Sequence, residues 1–242
     1  EPLAAAGAVA LAILVALACA SIAGMGLWSL ATQWRFPDAW PAGLTMEGWM
    51  RRADGLAAPF ATTLGVAAIS VAVSLALALG CLEFEQRRAR RGPPPGLALL
   101  YLPLVVPQVA FLFGAQVLLV RTGWDGTLAA VVWAHVIFVL PYLFLSLADP
   151  WRSLDPRYAR TAASLGAGPW RVFARVKLPI LVKPVAIACA VAFAVSVGQY
   201  LPTLFAGNGR VATLTTEAVT LSSGADRRVI GAYALLAAKN LD

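Results

Sequence analysis

Five long apolar runs constrain the fold of this chain more than any other feature of its sequence. They cover residues 3–31, 57–82, 97–120, 127–148 and 181–206. Each exceeds the roughly 20 residues that an α-helix needs to cross about 30 Å of hydrocarbon. The first run is too long for the apolar core of a signal peptide and is predicted to be a retained helix. The sequence therefore predicts an all-α, polytopic helical membrane protein.

The composition agrees with a membrane protein. Of the 242 residues, 60% are hydrophobic and 13% are charged, whereas a soluble domain is about 45–50% apolar and about 25% charged. The net charge of +7 would by itself also suit a nucleic-acid-binding protein. The basic residues are concentrated in two of the connections between runs, which indicates membrane topology and argues against a nucleic-acid partner.

The Lys and Arg residues predict the orientation of the chain in the bilayer. Short cytoplasmic loops collect such residues, and two connections are strongly basic. They hold Arg87, Arg88, Arg90 and Arg91 between the second and third runs, and Arg152, Arg157, Arg160, Arg171, Arg175, Lys177 and Lys183 between the fourth and fifth. We therefore predict that the N-terminus and both basic loops are cytoplasmic.

The other connections and the ends complete the predicted topology of a single domain, 1–242. Residues 32–56 contain Trp34, Trp40 and Trp49, so this external connection is predicted to lie along the membrane surface, which tryptophan prefers. Residues 229–238 begin a sixth crossing but do not finish it, because about ten helical residues span only about 15 Å. The first residue is Glu1, which is compatible with a fragment or a processed chain.

The second basic connection, residues 152–180, carries the signals of two short helices. Asp155 followed by Pro156 predicts a helix start, with Asp as the N-cap and Pro in the first helical position. Gly166 is placed to end this helix in the left-handed conformation. Gly168 and Pro169 then begin a second helix.

The end of this connection and its surface are also predicted from sequence. Leu178 precedes Pro179, which disfavours further helix, so a stop is expected there. The segment is far longer than the two to eight residues that a simple reversal between helices requires. Ala159, Ala162, Ala163 and Leu165 beside Gly166 form a small-residue surface that lets another backbone approach closely.

The spacing within this loop resembles a family signature. The membrane subunits of binding-protein-dependent ABC importers carry E-A-A, three residues, G, nine residues, I, one residue and L-P. Gly166, Val176, Leu178 and Pro179 match that spacing, and Ala162 takes the second Ala position. Arg160 stands where Glu is expected, and Thr161 stands where the first Ala is expected. The stretches "LPLVVPQVAF" and "FAVSVGQYLPTLF" also resemble the family's helices, so the resemblance spans roughly residues 57 to 230.

The resemblance implies a fold and a coupling role. The fold would be that of a type I ABC importer transmembrane domain with about six crossings, the last incomplete here. The cytoplasmic coupling loop, 152–180, would dock an ATPase dimer through residues 156–176. The residues carried over to this contact are Arg157, Arg160, Thr161, Ala162, Ala163, Leu165, Gly166, Ala167, Val176, Leu178 and Pro179.

The resemblance also implies partners and a location. They are the cytoplasmic ATPase dimer, a second permease half (homologous or identical) and a periplasmic substrate-binding protein, in the bacterial inner membrane. The chain itself could be half of a fused double permease. The pattern is closest to subunits for iron, thiamine or polyamine-like solutes, and less close to those for sulfate or molybdate.

The sequence does not predict chemistry in this chain. No lysine completes a G-x-x-x-x-G-K-[ST] phosphate loop, so ATP is expected on another polypeptide, and no catalytic residue, cofactor or metal site is predicted. Cys19, Cys81 and Cys189 are predicted to be buried free thiols. The single histidine, His135, is predicted to be a hydrogen-bonded packing residue rather than a ligand or proton relay.

Polar residues within the apolar runs are the candidates for a translocation path. Such residues are expected to face protein or water rather than lipid, although hydrogen bonds between packed helices would explain each one alone. The candidates are Gln108, Gln116, Ser196, Gln199 and Tyr200.

Two other classes remain open at this point: a secondary carrier or channel independent of ATP, and a membrane scaffold. No Asp or Glu falls within the five runs, which weakens ion-coupled transport. The spacing of the coupling loop favours the importer.

Overall fold

The computed structural model describes residues 2–32, 39–87 and 97–222. Over these residues the secondary structure is helical, apart from one isolated bridge between Ala31 and Leu44. The prediction of an all-α polytopic protein is therefore confirmed. The helices are α1 Pro2–Leu30, α2 Glu47–Arg87, α3 Leu97–Val105, α4 Gln108–Thr122, α5 Leu128–Arg152, α6 Pro156–Ser164, α7 Pro169–Val172, a π-helical turn Phe173–Lys177, α8 Leu178–Ile180, α9 Val182–Gly198, α10 Leu201–Gly207 and α11 Leu214–Ser222.

The described helices supply three to five membrane spans. Three stretches are long and apolar enough to cross a bilayer: Gly7–Leu30, Gly55–Arg87 and Leu128–Arg152. Two further spans are possible if each of two bent helix pairs counts as one, namely α3 with α4, and the helical segment Pro169–Ile180 with α9. The predicted sixth crossing, 229–238, lies outside the described residues.

The uniform apolar character of residues 97–120 suggested one straight helix, but the structure divides this run into two helices. α3 and α4 meet at 110°, and Pro107 lies between them with an extended backbone (φ −52°, ψ 122°). Proline has no backbone N–H and pushes the preceding residue away from helical geometry, which accounts for a break here.

The run 181–206 is also divided. α9 ends at Gly198, Gln199 is extended (φ −75°, ψ 106°), and α10 begins at Leu201 with Pro202 in its first turn. Proline is tolerated in the first turn of a helix because that position needs no intrahelical donor. The second helix therefore starts almost where the first one stops, and the Gln199 N–H at the break donates to the Ser196 carbonyl at 3.2 Å.

Packing divides the chain into two units, residues 1–62 with 212–242, and residues 63–211. In the first unit, Leu56 and Leu214 are buried, with Trp49, Phe60 and Ala218 packed around them. Side chains from 7 to 25 on α1 are exposed, as expected for an apolar helix that faces lipid.

The second unit, residues 63–211, contains the main core. The inner face of α5 contributes Leu143, Phe144, Leu147 and Trp151, all completely buried. Against it pack Ala78 and Leu82 of α2 and the small residues Ala188 and Ala192 of α9. Small residues let helix backbones come close, and in lipid such packing replaces the hydrophobic effect as the main force between helices. This core fixes the two ends of the coupling loop, since α5 leads into it and α9 leads out.

Candidate functional site

The first half of the coupling loop has the predicted local structure. The Asp155 Oδ1 atom accepts a hydrogen bond from the Arg157 N–H at 2.8 Å, and Pro156 occupies the first turn of α6. The helix ends in a turn in which Gly166 has φ +81°. There the Gly166 N–H donates to the Ala163 carbonyl at 3.0 Å, and the Ala167 N–H donates to the Ala162 carbonyl at 3.0 Å. The predicted N-cap and left-handed glycine are confirmed.

The second half of the coupling loop departs from the prediction. α7 begins at Pro169 after Gly168, as expected, but its continuation is the π-helical turn Phe173–Lys177. The helix then passes Leu178 and Pro179 and breaks only at Leu181 (φ −96°, ψ 12°). The predicted stop at Leu178–Pro179 is therefore wrong. Pro179 follows the π-helical turn directly and lies within the continuous helical segment Pro169–Ile180.

The residues carried over from the family signature form an exposed face. No residue of α6 is buried, and Leu165 is 83% exposed at the glycine turn. Exposed members of the set are Arg157, Arg160, Thr161, Ala163, Leu165, Gly166 and Pro179, and half-buried ones are Ala162, Ala167, Val176 and Leu178. Leu165 is the most exposed large apolar side chain of the loop 152–180.

Two aromatic residues extend this face and were missed from sequence. Trp170 is 75% exposed and Tyr158 is 54% exposed. Trp170 stacks on Phe173, with ring centroids 5.4 Å apart, so it is held in one place although it is exposed. The available signal was the presence of large aromatic residues in an otherwise basic loop, because aromatic residues and arginine are enriched at protein interfaces.

The face is strongly positive. Arg157, Arg160, Arg171 and Arg175 are all exposed, and residues 156–180 contain no Asp or Glu. The flanking Asp155 lies at the limit of an ion pair, 4.0 Å from the Arg157 Nε atom. The four guanidinium groups are therefore available to an external acidic surface.

Three of the five translocation-path candidates line one cavity. Gln108, Gln199 and Tyr200 border a volume of about 640 Å³, together with Phe138 and Tyr142 of α5. The cavity lies where both helix breaks meet, since its wall includes residues 103–108 and 198–201. Neither Phe138 nor Tyr142 was identified from sequence, because nothing local distinguishes them from core aromatics. The lining contains amide and phenol groups but no charged side chain.

The other two candidates do not line this cavity. Gln116 is half-buried on α4. Ser196 is buried and its Oγ atom lies 2.9 Å from the Nδ1 atom of His135.

His135 joins three helices within the core. Its Nε2 atom lies 2.8 Å from the Thr203 Oγ1 atom, and that hydroxyl donates to the Gln199 carbonyl at 3.1 Å. Because the Thr203 proton is used in this way, the pattern requires the His135 proton on Nε2 and makes Nδ1 the acceptor from Ser196. The prediction of a hydrogen-bonded packing residue is confirmed. The network also supports the extended backbone at Gln199.

The cysteines are free, as predicted, but the prediction that they are buried is wrong, since none of the three is. Cys19 and Cys81 are exposed and Cys189 is half-buried. Their helices turn these positions outward, where lipid accepts a thiol as readily as a protein core does. Among the described residues, no group of three or more His, Cys, Asp or Glu side chains could hold a metal ion.

Comparison with known proteins gives the chain a family. Residues 95–238, more than half of the chain, match the family model described as "Binding-protein-dependent transport system inner membrane component". The inner membrane ABC transporter permease protein YnjC of Escherichia coli K12 is 40% identical over 165 residues, which cover 68% of this chain and 31% of YnjC.

Two further relatives are transport permeases. The molybdenum transport system permease protein ModB of Mycobacterium tuberculosis is 38% identical over 48% of this chain and 49% of ModB. A 2-aminoethylphosphonate transport system permease, the putative PhnV of Salmonella typhimurium, is 27% identical over 81% of this chain and 74% of PhnV. The chain thus spans about a third of YnjC and about half of this ModB. The chain belongs to the family of binding-protein-dependent transport system inner membrane components.

Proposed function

We propose that this chain is the permease subunit of an ATP-driven importer and docks a cytoplasmic ATPase through residues 156–176. One observation carries the proposal. The residues that match the family's signature lie on a capped helix, α6, and on the glycine turn that follows it, and no side chain of α6 is buried. A segment that is ordered by its caps but exposed on its surface is built to contact something else. A secondary carrier or channel would have no use for such a segment.

The loop has the mechanical properties that force transmission needs. Asp155 caps one end of α6, and the Gly166 turn closes the other with two backbone hydrogen bonds. The segment therefore resists local unfolding and can be displaced as a rigid body. After the Gly166 turn, the chain continues through the helical segment Pro169–Ile180 into α9, so a push on the loop is delivered to a membrane helix.

The charge of the loop defines the partner surface. Four exposed arginines without an acidic neighbour inside 156–180 favour an acidic groove. Arg160, which replaces the family's Glu, adds to the positive charge at the contact. We therefore expect the cognate ATPase to present acidic or neutral residues opposite Arg160.

The cavity near the two helix breaks supports a role in the translocation path. Its amide and phenol groups can bind and release a polar solute without the tight hold of a buried charge. With a second permease half, such a cavity would complete a passage, while a periplasmic binding protein would deliver the solute. The basic loops support the cytoplasmic orientation of the N-terminus.

The branch for iron, thiamine or polyamine-like solutes stays a prediction. Of the three relatives compared above, two are named for molybdenum and 2-aminoethylphosphonate, and the name of YnjC gives no solute.

The docking role is tested by purification of the full-length protein from its native membrane in mild detergent, followed by mass spectrometry. We expect a nucleotide-binding ATPase subunit to accompany the intact protein and to be absent after deletion of residues 157–175. A membrane-inserted intact protein that brings no ATPase would contradict the importer and favour a carrier or channel.

Two glycines provide a matched pair for the loop geometry. Neither Gly166 nor Gly168 has any heavy atom near the position of an added Cβ, but Gly166 has φ +81° and Gly168 has φ −65°. Left-handed geometry costs a non-glycine residue roughly 1–2 kcal/mol. Gly166→Ala should therefore weaken ATPase binding by about tenfold, as measured by titration of the ATPase onto permease in nanodiscs.

The matched control is Gly168→Ala, which adds the same methyl group at an ordinary backbone conformation and should bind as tightly as the unaltered protein. Equal binding by the two variants would show that the turn at Gly166 does not orient the docking face.

A second matched pair tests the cavity. Tyr142 and Leu145 are both exposed on α5, at 40% and 49%, but of the two only Tyr142 lines the cavity. In a background with Cys19, Cys81 and Cys189 replaced by Ala, a charged water-soluble thiol reagent should label Tyr142→Cys. It should not label Leu145→Cys, which faces lipid. Labelling of the two positions at equal rates would place the cavity outside any aqueous path.

A further inference from the structure

A buried lysine joins the base of the coupling loop to α2. The Lys177 side chain is 7% exposed, and its Nζ atom donates to the Glu83 Oε2 atom at 2.6 Å and to the Gln86 Oε1 atom at 2.7 Å. The Nζ atom also lies 5.9 Å from the ring centroid of Trp151 on α5, within the range of a cation–π contact. Lysine is almost never fully buried unless it is paired, so these contacts account for its position.

The contact connects segments that are distant in sequence. Lys177 lies 94 positions from Glu83 and 91 positions from Gln86. It is the last residue of the π-helical turn, and one extra residue in a turn rotates everything after it by about 100° around the helix axis. The π-helical turn thus sets the direction in which the Lys177 side chain projects from the coupling loop. Such π-helical turns are frequent at functional sites.

The neighbouring ionic contacts differ from this one in exposure. Arg152 of α5 makes a two-pronged contact with Glu85 of α2, at 2.9 and 3.0 Å, but its side chain is 43% exposed. Arg87 pairs with Glu83 at 3.0 Å within α2 itself and is 54% exposed. Exposed pairs are screened by water and easily exchanged. Separating Lys177 from Glu83 would leave a charge unpaired in a place that water reaches poorly, which is strongly unfavourable.

We propose that Lys177 is a positioning residue that holds the coupling loop against the C-terminal end of α2. When the coupling loop is displaced, α9 follows because it is the next helix in the chain. The buried pair makes residues 63–87 of α2 follow as well. The inference rests on the proposed function, since it assumes that an ATPase supplies the displacement. It adds a second route by which the motion enters the membrane.

The test uses hydrogen exchange with mass spectrometry on the full-length permease purified with its ATPase in nanodiscs. Peptides from 156–176 report docking, and peptides from 76–87 report α2. Adding ATP with vanadate to the unaltered complex should change exchange in both. In Lys177→Met the protection of 156–176 by the ATPase should remain, while the response of 76–87 should be lost. Lys177→Arg, which keeps the charge, should retain that response.

The matched control is Arg87→Met, which removes the other basic partner of Glu83 without cutting the link between segments, and it should respond like the unaltered complex. If Lys177→Met does not yield a folded protein, Glu83→Gln removes the opposite charge at nearly constant size and should weaken the α2 response. An α2 response in Lys177→Met equal to that of the unaltered complex, or no α2 response in the unaltered complex, would overturn the proposal. Failure of the proposed function would look different, because 156–176 would then show no protection by any ATPase.

Discussion

The packing of α5 is the constraint on which the described sites within residues 63–211 depend. Water does not drive helices together inside lipid, so their association relies on close contact and on internal hydrogen bonds. α5 offers both along one face: Leu143, Phe144 and Leu147 fill the core, and His135 hydrogen-bonds to Ser196 and Thr203. The same helix lines the cavity with Phe138 and Tyr142. Its C-terminal end, at Trp151, packs beside the buried Lys177.

The two sites along this helix differ in chemistry because they lie in different surroundings. The cavity is polar but uncharged, which is appropriate for groups that must remain inside hydrocarbon without large desolvation costs. The ionic contacts lie on the side of the basic loops, where α2 ends and the coupling loop begins. There a charged pair can be retained at lower cost and still resist separation. The division suits a protein that receives force on one side and passes solute through its centre.

The sequence predicted the features that depend on local chemistry. Apolar runs of bilayer length predicted the spans, and Asp155, Pro156 and Gly166 predicted the start and end of α6 because capping and left-handed turns are decided by neighbouring residues. The breaks at Pro107 and Gln199 were missed, since composition remains apolar through both. The continuation of the helix through Pro179 was not predicted, because it follows a π-helical turn that no local sequence pattern indicates.

Contacts between distant segments were beyond the sequence. Lys177 was counted among the basic residues that set topology, but its burial follows from the positions of Glu83 and Gln86 on another helix. In the same way, Gln108 could be identified as a polar residue in a span, whereas its meeting with Gln199 and Tyr200 required two helix breaks to converge. Single polar residues could be proposed, but the cavity that they form could not.

Site-specific photo-crosslinking would show whether the coupling loop contacts an ATPase in the cell. A photoreactive amino acid would replace Leu165, the most exposed apolar residue of the coupling face, in the full-length protein within living cells. Irradiation should give a covalent adduct with a nucleotide-binding ATPase subunit, and the same probe at Leu145, inside the candidate span Leu128–Arg152, should give none. An inserted protein that carries the probe at Leu165 and forms no adduct with an ATPase would show that the loop does not dock one.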